Sequence, residues 1–370
     1  MKTVYLDSAA TTLVKPPQVA KAVGRAIKRF ASPGRGGYEE SVKAADVVFE
    51  CRQRAADLFC VDEPEKIVFT MNATHGLNIA IKSLCSQGDK VVVSGYEHNA
   101  VMRPLHAVGA DIVVAESPLF DKQAAVRAFE DKIGEGTKVV VCTHVSNVFG
   151  FELPVYEIAK VCQRHRIPLI IDASQSAGTH QINAAQLNAS FIAMPGHKGL
   201  YGPQGTGILI CSDKAKTLIE GGTGSESRKI TMPFFLPDRL EAGTHNVAGI
   251  AGLNEGLKFV ENNTVSAILD HERKLISHIV SSIKDNKAVR LFTSIEPESG
   301  VLSMVFEGVD CETAAQMMAE QGIAVRAGLH CAPLAHKTAG TIEHGTVRVS
   351  VSAMTSVKEV NGFISFVNKL

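Results

Sequence analysis

Between residues 66 and 212 the chain repeats one pattern, a short β-rich run followed by an amphipathic helical stretch. The runs are Lys66–Thr70, Lys90–Ser94, Asp111–Glu116, Lys138–Thr143, Pro168–Asp172, Ser190–Met194 and Gly207–Cys211, with helical stretches such as Pro154–Arg166 between several of them. Strands this continuously apolar are covered on both faces. Strands alternating with helices predict an α/β fold with a mainly parallel, doubly wound sheet. Such sheets bind ligands beyond the carboxyl ends of their strands, so functional residues are expected just after each run.

The pattern then changes. Val247–Asn263 and Val265–Asp285 read as longer helices. Val301–Phe306, Ile323–Arg326 and Thr346–Ser352 read as strands, and Cys311–Gln321 and Ser356–Lys369 as helices. At 370 residues the chain exceeds one ordinary core. The expected organisation is an N-terminal arm over residues 1–20, a large domain over 21–255 and a smaller C-terminal α/β domain over 256–370. The arm is able to pack with either domain.

Lysine plus arginine and aspartate plus glutamate are both 38, so no charge excess points to nucleic acid or an anionic membrane. No apolar run is long enough to span a bilayer, and the first residues lack the apolar segment of a secretory signal. A cytoplasmic chain is expected. Eight cysteines without a C-x-x-C pair argue against a zinc ribbon or a disulfide framework, so most are expected reduced and buried.

Asp172 ends one run and Lys198, in Pro195-Gly196-His197-Lys198, follows the next. Alone, Asp172 reads equally as a helix cap or loop ion pair, and Lys198 as a solvated loop residue. Together they point into one crevice with the pair that pyridoxal phosphate (PLP) needs: an amine able to form an imine and a carboxylate for the ring nitrogen. Asn72-Ala73-Thr74-His75-Gly76 follows the first run and opens a helix, which suits a phosphate or a plain helix cap. His98 stands where an imidazole is able to stack on a flat ring, and Asn147 and Gln175 are amides at the same edge.

Cys331 lies in Arg326-Ala327-Gly328-Leu329-His330-Cys331-Ala332-Pro333, a loop by its Gly and Pro. Arg326 and His330 are expected to favour its thiolate; the alternative is a half-buried structural cysteine. His330, Cys331, His336 and His344 match no common zinc spacing, and no metal is expected. Arg348 is placed to clamp a carboxylate, or to sit on an exposed strand face.

Taken together, the motifs resemble the class V aminotransferase family and, within it, the cysteine desulfurases and selenocysteine lyases of the compact cysteine-loop group. The resemblance covers nearly the whole chain. It runs from Tyr5-Leu6-Asp7-Ser8-Ala9-Ala10-Thr11-Thr12 through Glu97-His98-Asn99, Ser146-Asn147-Val148-Phe149-Gly150, Asp172-Ala173-Ser174-Gln175, Gly196-His197-Lys198 and Glu241-Ala242-Gly243-Thr244-His245-Asn246 to Val347-Arg348-Val349-Ser350.

The resemblance implies PLP-dependent transferase fold type I, with Lys198 as the Schiff-base lysine that also moves the substrate α-proton. It implies Asp172 on the ring nitrogen, Gln175 on the ring hydroxyl and His98 stacked on the ring. Ala73, Thr74 and His197 would hold the phosphate, and Asn147 and Arg348 the substrate carboxylate, with Arg326 also at the substrate. Cys331 would attack the substrate sulfur, leaving alanine and a persulfide that passes to an acceptor. A homodimer is implied, with Gly221–Ser225 and Thr244 near the shared boundary. Selenocysteine lyase, or an aminotransferase or other PLP lyase in which Cys331 is incidental, are the other activities of this scaffold.

Three positions depart from the family pattern. Pro195 replaces a serine that binds the phosphate, so the contact must come from elsewhere, with His75 or Gly221–Ser225 as candidates. Pro33-Gly34-Arg35-Gly36-Gly37 lacks an active-site histidine, and Leu329 replaces the first histidine of the motif before Cys331. Only 17 positions separate Cys331 from Arg348, so the cysteine loop is short.

Overall fold

The computed structural model describes residues 3–34, 36–212 and 215–369. Its centre is a seven-stranded sheet built from β2 (Ile67–Thr70), β3 (Lys90–Ser94), β4 (Asp111–Ala115), β5 (Thr137–Thr143), β6 (Leu169–Asp172), β7 (Phe191–Pro195) and β8 (Gly207–Cys211), with β1 (Val4–Tyr5) outside it. The order is β2-β8-β7-β6-β5-β3-β4. β7, β6, β5, β3 and β4 run parallel, while β8 runs antiparallel to both β7 and β2. The antiparallel β8 follows from the chain: only the loop 196–206 separates it from β7, too short for a crossover helix.

The seven strands fall within a residue or so of the seven β-rich runs. β2, β6, β7 and β8 are buried at every position, which is why they read as unbroken apolar runs. Helices α1 (Pro17–Arg29), α2 (Glu39–Phe59), α3 (Ala73–Leu84), α4 (Asn99–Ala107), α5 (Lys122–Lys132), α6 (Val155–His165) and α7 (Ala184–Leu187) precede α8 (Val247–Asn263). Apolar clusters cover both faces of the sheet, one holding Phe149, Phe151 and Met194, the other Leu77, Phe191 and Leu209.

A second core lies under α9 (Val265–Ile283), α10 (Cys311–Glu320) and α12 (Val357–Val367). Its sheet has the order β12-β13-β10-β9, with β9 (Val289–Phe292), β10 (Val301–Phe306), β12 (Arg326–Gly328) and β13 (Thr346–Ser350) all antiparallel. The expected strand Ile323–Arg326 is two pieces. β11 (Ile323–Ala324) pairs in parallel with β1, and β12 joins the four-stranded sheet, so the chain changes sheets at Val325. A short α11 (Pro333–Thr338) follows Cys331.

The N-terminal arm ties the two cores together. Leu6 N–H donates to the Ala324 carbonyl (2.9 Å) and Ser8 N–H to that of Ser350 (3.2 Å), while Thr12 N–H reaches the His197 carbonyl (3.2 Å). Residues 255 and 256 lie inside α8, which packs on α1 and α2. Among the described residues no helix is long and apolar enough to cross a membrane.

Candidate active site

Five strand ends and the starts of two helices converge on a cavity of about 110 Å³. Among its lining residues are Thr74, His98, Asn147, Asp172, Gln175 and Lys198. This is the crevice beyond the carboxyl ends of β2, β3, β5, β6 and β7, where a doubly wound sheet binds its ligands.

Asp172, the last residue of β6, is 2% exposed, and its Oδ1 accepts from Ser174 N–H at 2.9 Å. Burial pushes the Lys198 amine down to about 8, while the Asp172 carboxylate pulls it back up. The Lys198 loop is tethered from the arm. The His197 carbonyl accepts from Lys15 Nζ (2.8 Å), Thr12 Oγ1 (3.1 Å) and Thr11 Oγ1 (3.2 Å), and Thr11 Oγ1 also meets His197 Nδ1 (3.1 Å). Burial, then the charges of Lys198 and Lys15, push His197 down to about 4.

His98 caps α4, its Nδ1 accepting from Ala100 N–H at 2.9 Å. Burial lowers its basicity, partly offset by Asp172, so the imidazole is held neutral with Nε2 as the protonated nitrogen. At the start of α3, Asn72 caps the helix by accepting from His75 N–H (2.9 Å), and Ala73 and Thr74 face the cavity. Gly207 permits this approach: a Cβ there would stand 2.8 Å from the Asn72 carbonyl carbon. Gln175 lines the cavity and donates to the Ala9 carbonyl at 3.1 Å.

The cysteine loop is fixed to the same place. Cys331 is exposed, and its carbonyl accepts from Asn99 N–H at 2.8 Å. Asn147 Nδ2 donates to the His330 carbonyl at 2.9 Å. His330 and Cys331 both adopt left-handed backbone, φ 51° and 56°, which costs non-glycine residues energy. Arg326 Nη2 stands 4.0 Å from Cys331 Sγ. His330 does not supply the positive charge expected of it. It is 4% exposed, stacked on His336 at 5.7 Å, and pushed down to about 3 by burial and then by Arg348. Arg326 brings a positive charge beside the sulfur.

Arg348, on β13, is buried rather than on an exposed strand face, at 1% exposure. Its Nη2 donates to Asp7 Oδ1 (2.7 Å) and its Nη1 to the Asn147 carbonyl (2.9 Å), leaving Nε buried without a partner.

Some expected residues lie elsewhere. Thr244 and Thr223, Gly224 and Ser225 line a separate cavity of about 350 Å³ with Arg52 and Asp238. His75 faces another, its Nδ1 accepting from Met71 N–H at 3.3 Å. Neither His75 nor Gly221–Ser225 lines the Lys198 cavity to stand in for the serine that Pro195 replaces. Ser174 does line it, beside Pro195. Its position two residues after Asp172, facing inward from the same strand end, was the available signal. Of the glycine-rich stretch 33–37, Arg35 lies outside the described residues. Among the described residues no group of three or more His, Cys, Asp or Glu is placed to hold a metal.

A mostly parallel seven-stranded sheet with an Asp and a Lys on successive strand ends defines the fold of the PLP-dependent transferases of fold type I. The family model of the class-V aminotransferases matches residues 4–363, and the chain belongs to that family, which is PLP-dependent. A probable cysteine desulfurase of Methanothermobacter thermautotrophicus is 32% identical over 96% of this chain and 92% of its own length. One from Pyrococcus abyssi is 30% identical, over 99% and 94%. The apo structure of a cysteine desulfurase from Thermococcus onnurineus superposes with a TM-score of 0.89 at 29% identity, covering 100% of this chain and 95% of that one.

Proposed function

We propose that this chain is a PLP-dependent cysteine desulfurase. The observation that carries the reading is the cysteine loop: Cys331 presents an exposed sulfur 4.0 Å from Arg326, on a backbone bonded to Asn99 and Asn147 at the cavity wall. An incidental cysteine has no need of two left-handed residues and a cation to aim it.

The donor set suits PLP. Lys198 offers a buried amine of lowered basicity, and Asp172 a buried carboxylate for the ring nitrogen. His98 offers a neutral imidazole face and Gln175 an amide for the ring hydroxyl. Thr74, the N–H groups of α3 at Ala73 and Thr74, and His197 suit the phosphate. When bound, the cofactor supplies an electron sink for charge released at the substrate α-carbon.

In this reading Lys198 takes and returns the α-proton, Asn147 and Arg348 orient the substrate carboxylate, and Arg326 stabilises the attacking sulfur. The Cys331 thiol and L-cysteine give L-alanine and a Cys331 persulfide: the substrate C–S bond breaks, an S–S bond forms, and the thiol proton balances the new C–H of alanine. The sulfur then passes to an acceptor protein or thiol, which must come to the short loop.

A homodimer belongs to the same proposal, supported by the position of Thr244 and Thr223–Ser225 on their own cavity. A cytoplasmic setting is supported by eight free cysteines. The division into a large domain and a small C-terminal one at residues 255–256 belongs to the proposal too, and the separate apolar core under α9, α10 and α12 supports it.

The test is product analysis with L-cysteine, L-selenocysteine and a keto acid offered in parallel. Alanine and sulfide from L-cysteine are expected, with more than a hundredfold loss in Cys331→Ala. If Cys331→Ala forms alanine from cysteine as fast as the parent, the persulfide step is wrong. Transfer of the substrate amino group to the keto acid, which becomes an amino acid while the donor becomes a keto acid, would instead make the chain an aminotransferase.

A further inference from the structure

A second cavity of about 30 Å³ is lined by residues of the arm and of both cores, Lys198 among them. Gln175 and Lys198 line both cavities, so these two side chains form the wall between them. Glu272 of α9 also lines this cavity and is 5% exposed. Its carboxyl has no hydrogen bond or ion pair among the described residues. Its neighbours on the helix turn elsewhere, His271 to the Thr355 carbonyl (2.9 Å) and Arg273 to that of Pro297 (2.6 Å). Gly300 gives the carboxyl its room, since a Cβ there would stand 2.5 Å from Glu272 Oε2.

The rest of the lining is rich in hydroxyls, including Ser8, Thr12, Thr179, Ser350 and Ser352. A polar space of this size holds about one or two waters. Apart from Glu272, the titratable groups that line it are Lys198 and Tyr201. Tyr201 is committed as acceptor from Ala353 N–H (2.9 Å), and burial holds its hydroxyl protonated. The charges that act on Lys198 itself are Asp172, Arg348, Arg326 and Asp7.

We propose that Glu272 is the proton store of the active site, exchanging one proton with the Lys198 nitrogen through water held in the cavity between them. The exchange is balanced: the carboxyl O–H breaks, an N–H forms on Lys198, and neutral acid plus neutral amine become carboxylate plus ammonium. Burial pushes Glu272 up to about 8 and Lys198 down to about 8, so burial moves the two groups toward each other. A buried carboxyl with no protein partner, on a cavity walled by the reacting lysine, has no structural task that a glutamine or a leucine would not perform better. The inference deepens the PLP reading of Lys198 and rests on it.

The experiment uses the PLP-loaded enzyme and its Glu272→Gln variant. First, the visible band of the Lys198–cofactor linkage is titrated against pH. Removing the carboxylate that forms when Glu272 gives up its proton is expected to move that titration to lower pH by about one unit. Second, the infrared difference spectrum at neutral pH is expected to show a protonated-carboxyl stretch in the parent that Glu272→Gln lacks. Gly300→Ala, which displaces the carboxyl without removing it, is expected to shift the titration in the same direction and covers the case in which Glu272→Gln fails to fold. An unmoved titration in both variants, or no carboxyl stretch assignable to Glu272, overturns the proposal. A purely structural Glu272 would change yield and melting temperature and leave the titration in place. Absence of alanine from L-cysteine with a normally titrating band would sink the desulfurase reading and not this one.

Discussion

Asp7 and Arg348 stand 341 positions apart and meet through a 2.7 Å bond from Arg348 Nη2 to Asp7 Oδ1. The pair joins the N-terminal arm to β13, with Arg348 almost wholly buried and Asp7 at the rim. Replacing Asp7 with Ala leaves an unpaired guanidinium whose remaining named contact is the Asn147 carbonyl. A loss of about 3 kcal/mol in unfolding free energy is expected, because a buried charge without its partner is costly. Substrate binding should suffer too, with KM rising more than kcat falls. Arg348→Lys keeps the charge and loses the fork, and should raise KM with a smaller loss of stability. Denaturant titration and steady-state kinetics on both variants check this; unchanged KM in Asp7→Ala would remove Arg348 from the substrate site.

Arg326 and Cys331 give a second prediction. The guanidinium stabilises the negative charge that the sulfur carries as it attacks. Arg326→Ala is expected to slow alkylation of Cys331 by iodoacetamide about tenfold at neutral pH, and alanine formation by at least as much. His330→Gln should have a much smaller effect on alkylation, because His330 is buried and neutral. Equal alkylation rates for Arg326→Ala and the parent would show that the cation has no influence on the sulfur.

The contrast between these two residues shows what was legible in the sequence. The strand periodicity located all seven strands of the central sheet, because burial on both faces leaves no polar position to blur the pattern. That Asp172, Lys198, His98 and Asn147 share one crevice was legible because a doubly wound sheet brings its strand ends together. Environment was not legible in the same way. His330 next to Cys331 reads as a charged neighbour, yet burial, and then the charge of Arg348, hold it neutral. Asp7 reads as part of an arm able to pack with either core, yet it holds Arg348. Glu272 lies in the middle of a helix with nothing local to mark it. Its burial arises only when α9 is laid against Gly300 and the Lys198 loop. The turn between β11 and β12 escaped for a similar reason, since two strands in two sheets read as one apolar run.

Outside the candidate site, Arg52 and Glu241 form a bidentate pair at 2.9 and 2.8 Å, both buried. Glu241 Oε1 also accepts from Phe69 N–H at 2.6 Å, and the Arg52 guanidinium lies 4.6 Å from the Phe69 ring. The pair thus pins the stretch carrying Thr244 to α2 and β2. Glu241→Ala is expected to cost about 3–5 kcal/mol, since it strands a buried guanidinium. The double variant Arg52→Met with Glu241→Leu should recover most of that loss in a double-mutant cycle. Strict additivity of the two single changes would contradict the pairing.

Glu97, next to His98 in the chain, sets a pH dependence. It is wholly buried, and its Oε1 accepts from Thr143 N–H at 2.7 Å, while Oε2 has no partner. Thr143 is the β5 residue paired in register with Asp172, so the carboxyl fixes the strand ends that carry the site. Burial pushes Glu97 up to about 8, against hydrogen bonds from Ser94 and Thr143 that favour the ionised form. Its ordinary value is 4.5. The unfolded chain therefore loses this proton near 4.5, while the folded chain keeps it until about 8. The stabilising contribution is complete below the lower value, declines through the window and is gone above the upper one, at up to about 1.4 kcal/mol for each pH unit. Glu97→Gln keeps an acceptor for Thr143 and cannot ionise. Its melting temperature is expected to fall less steeply than the parent's between pH 5 and pH 8, a window of roughly the width that linkage requires. Glu97→Ala loses the acceptor as well, and should be destabilised by about 1–3 kcal/mol throughout. Calorimetric melting of the three proteins across that range decides it: parallel curves for the parent and Glu97→Gln would mean that Glu97 is ionised in the folded state, with a counter-charge that the buried geometry does not contain.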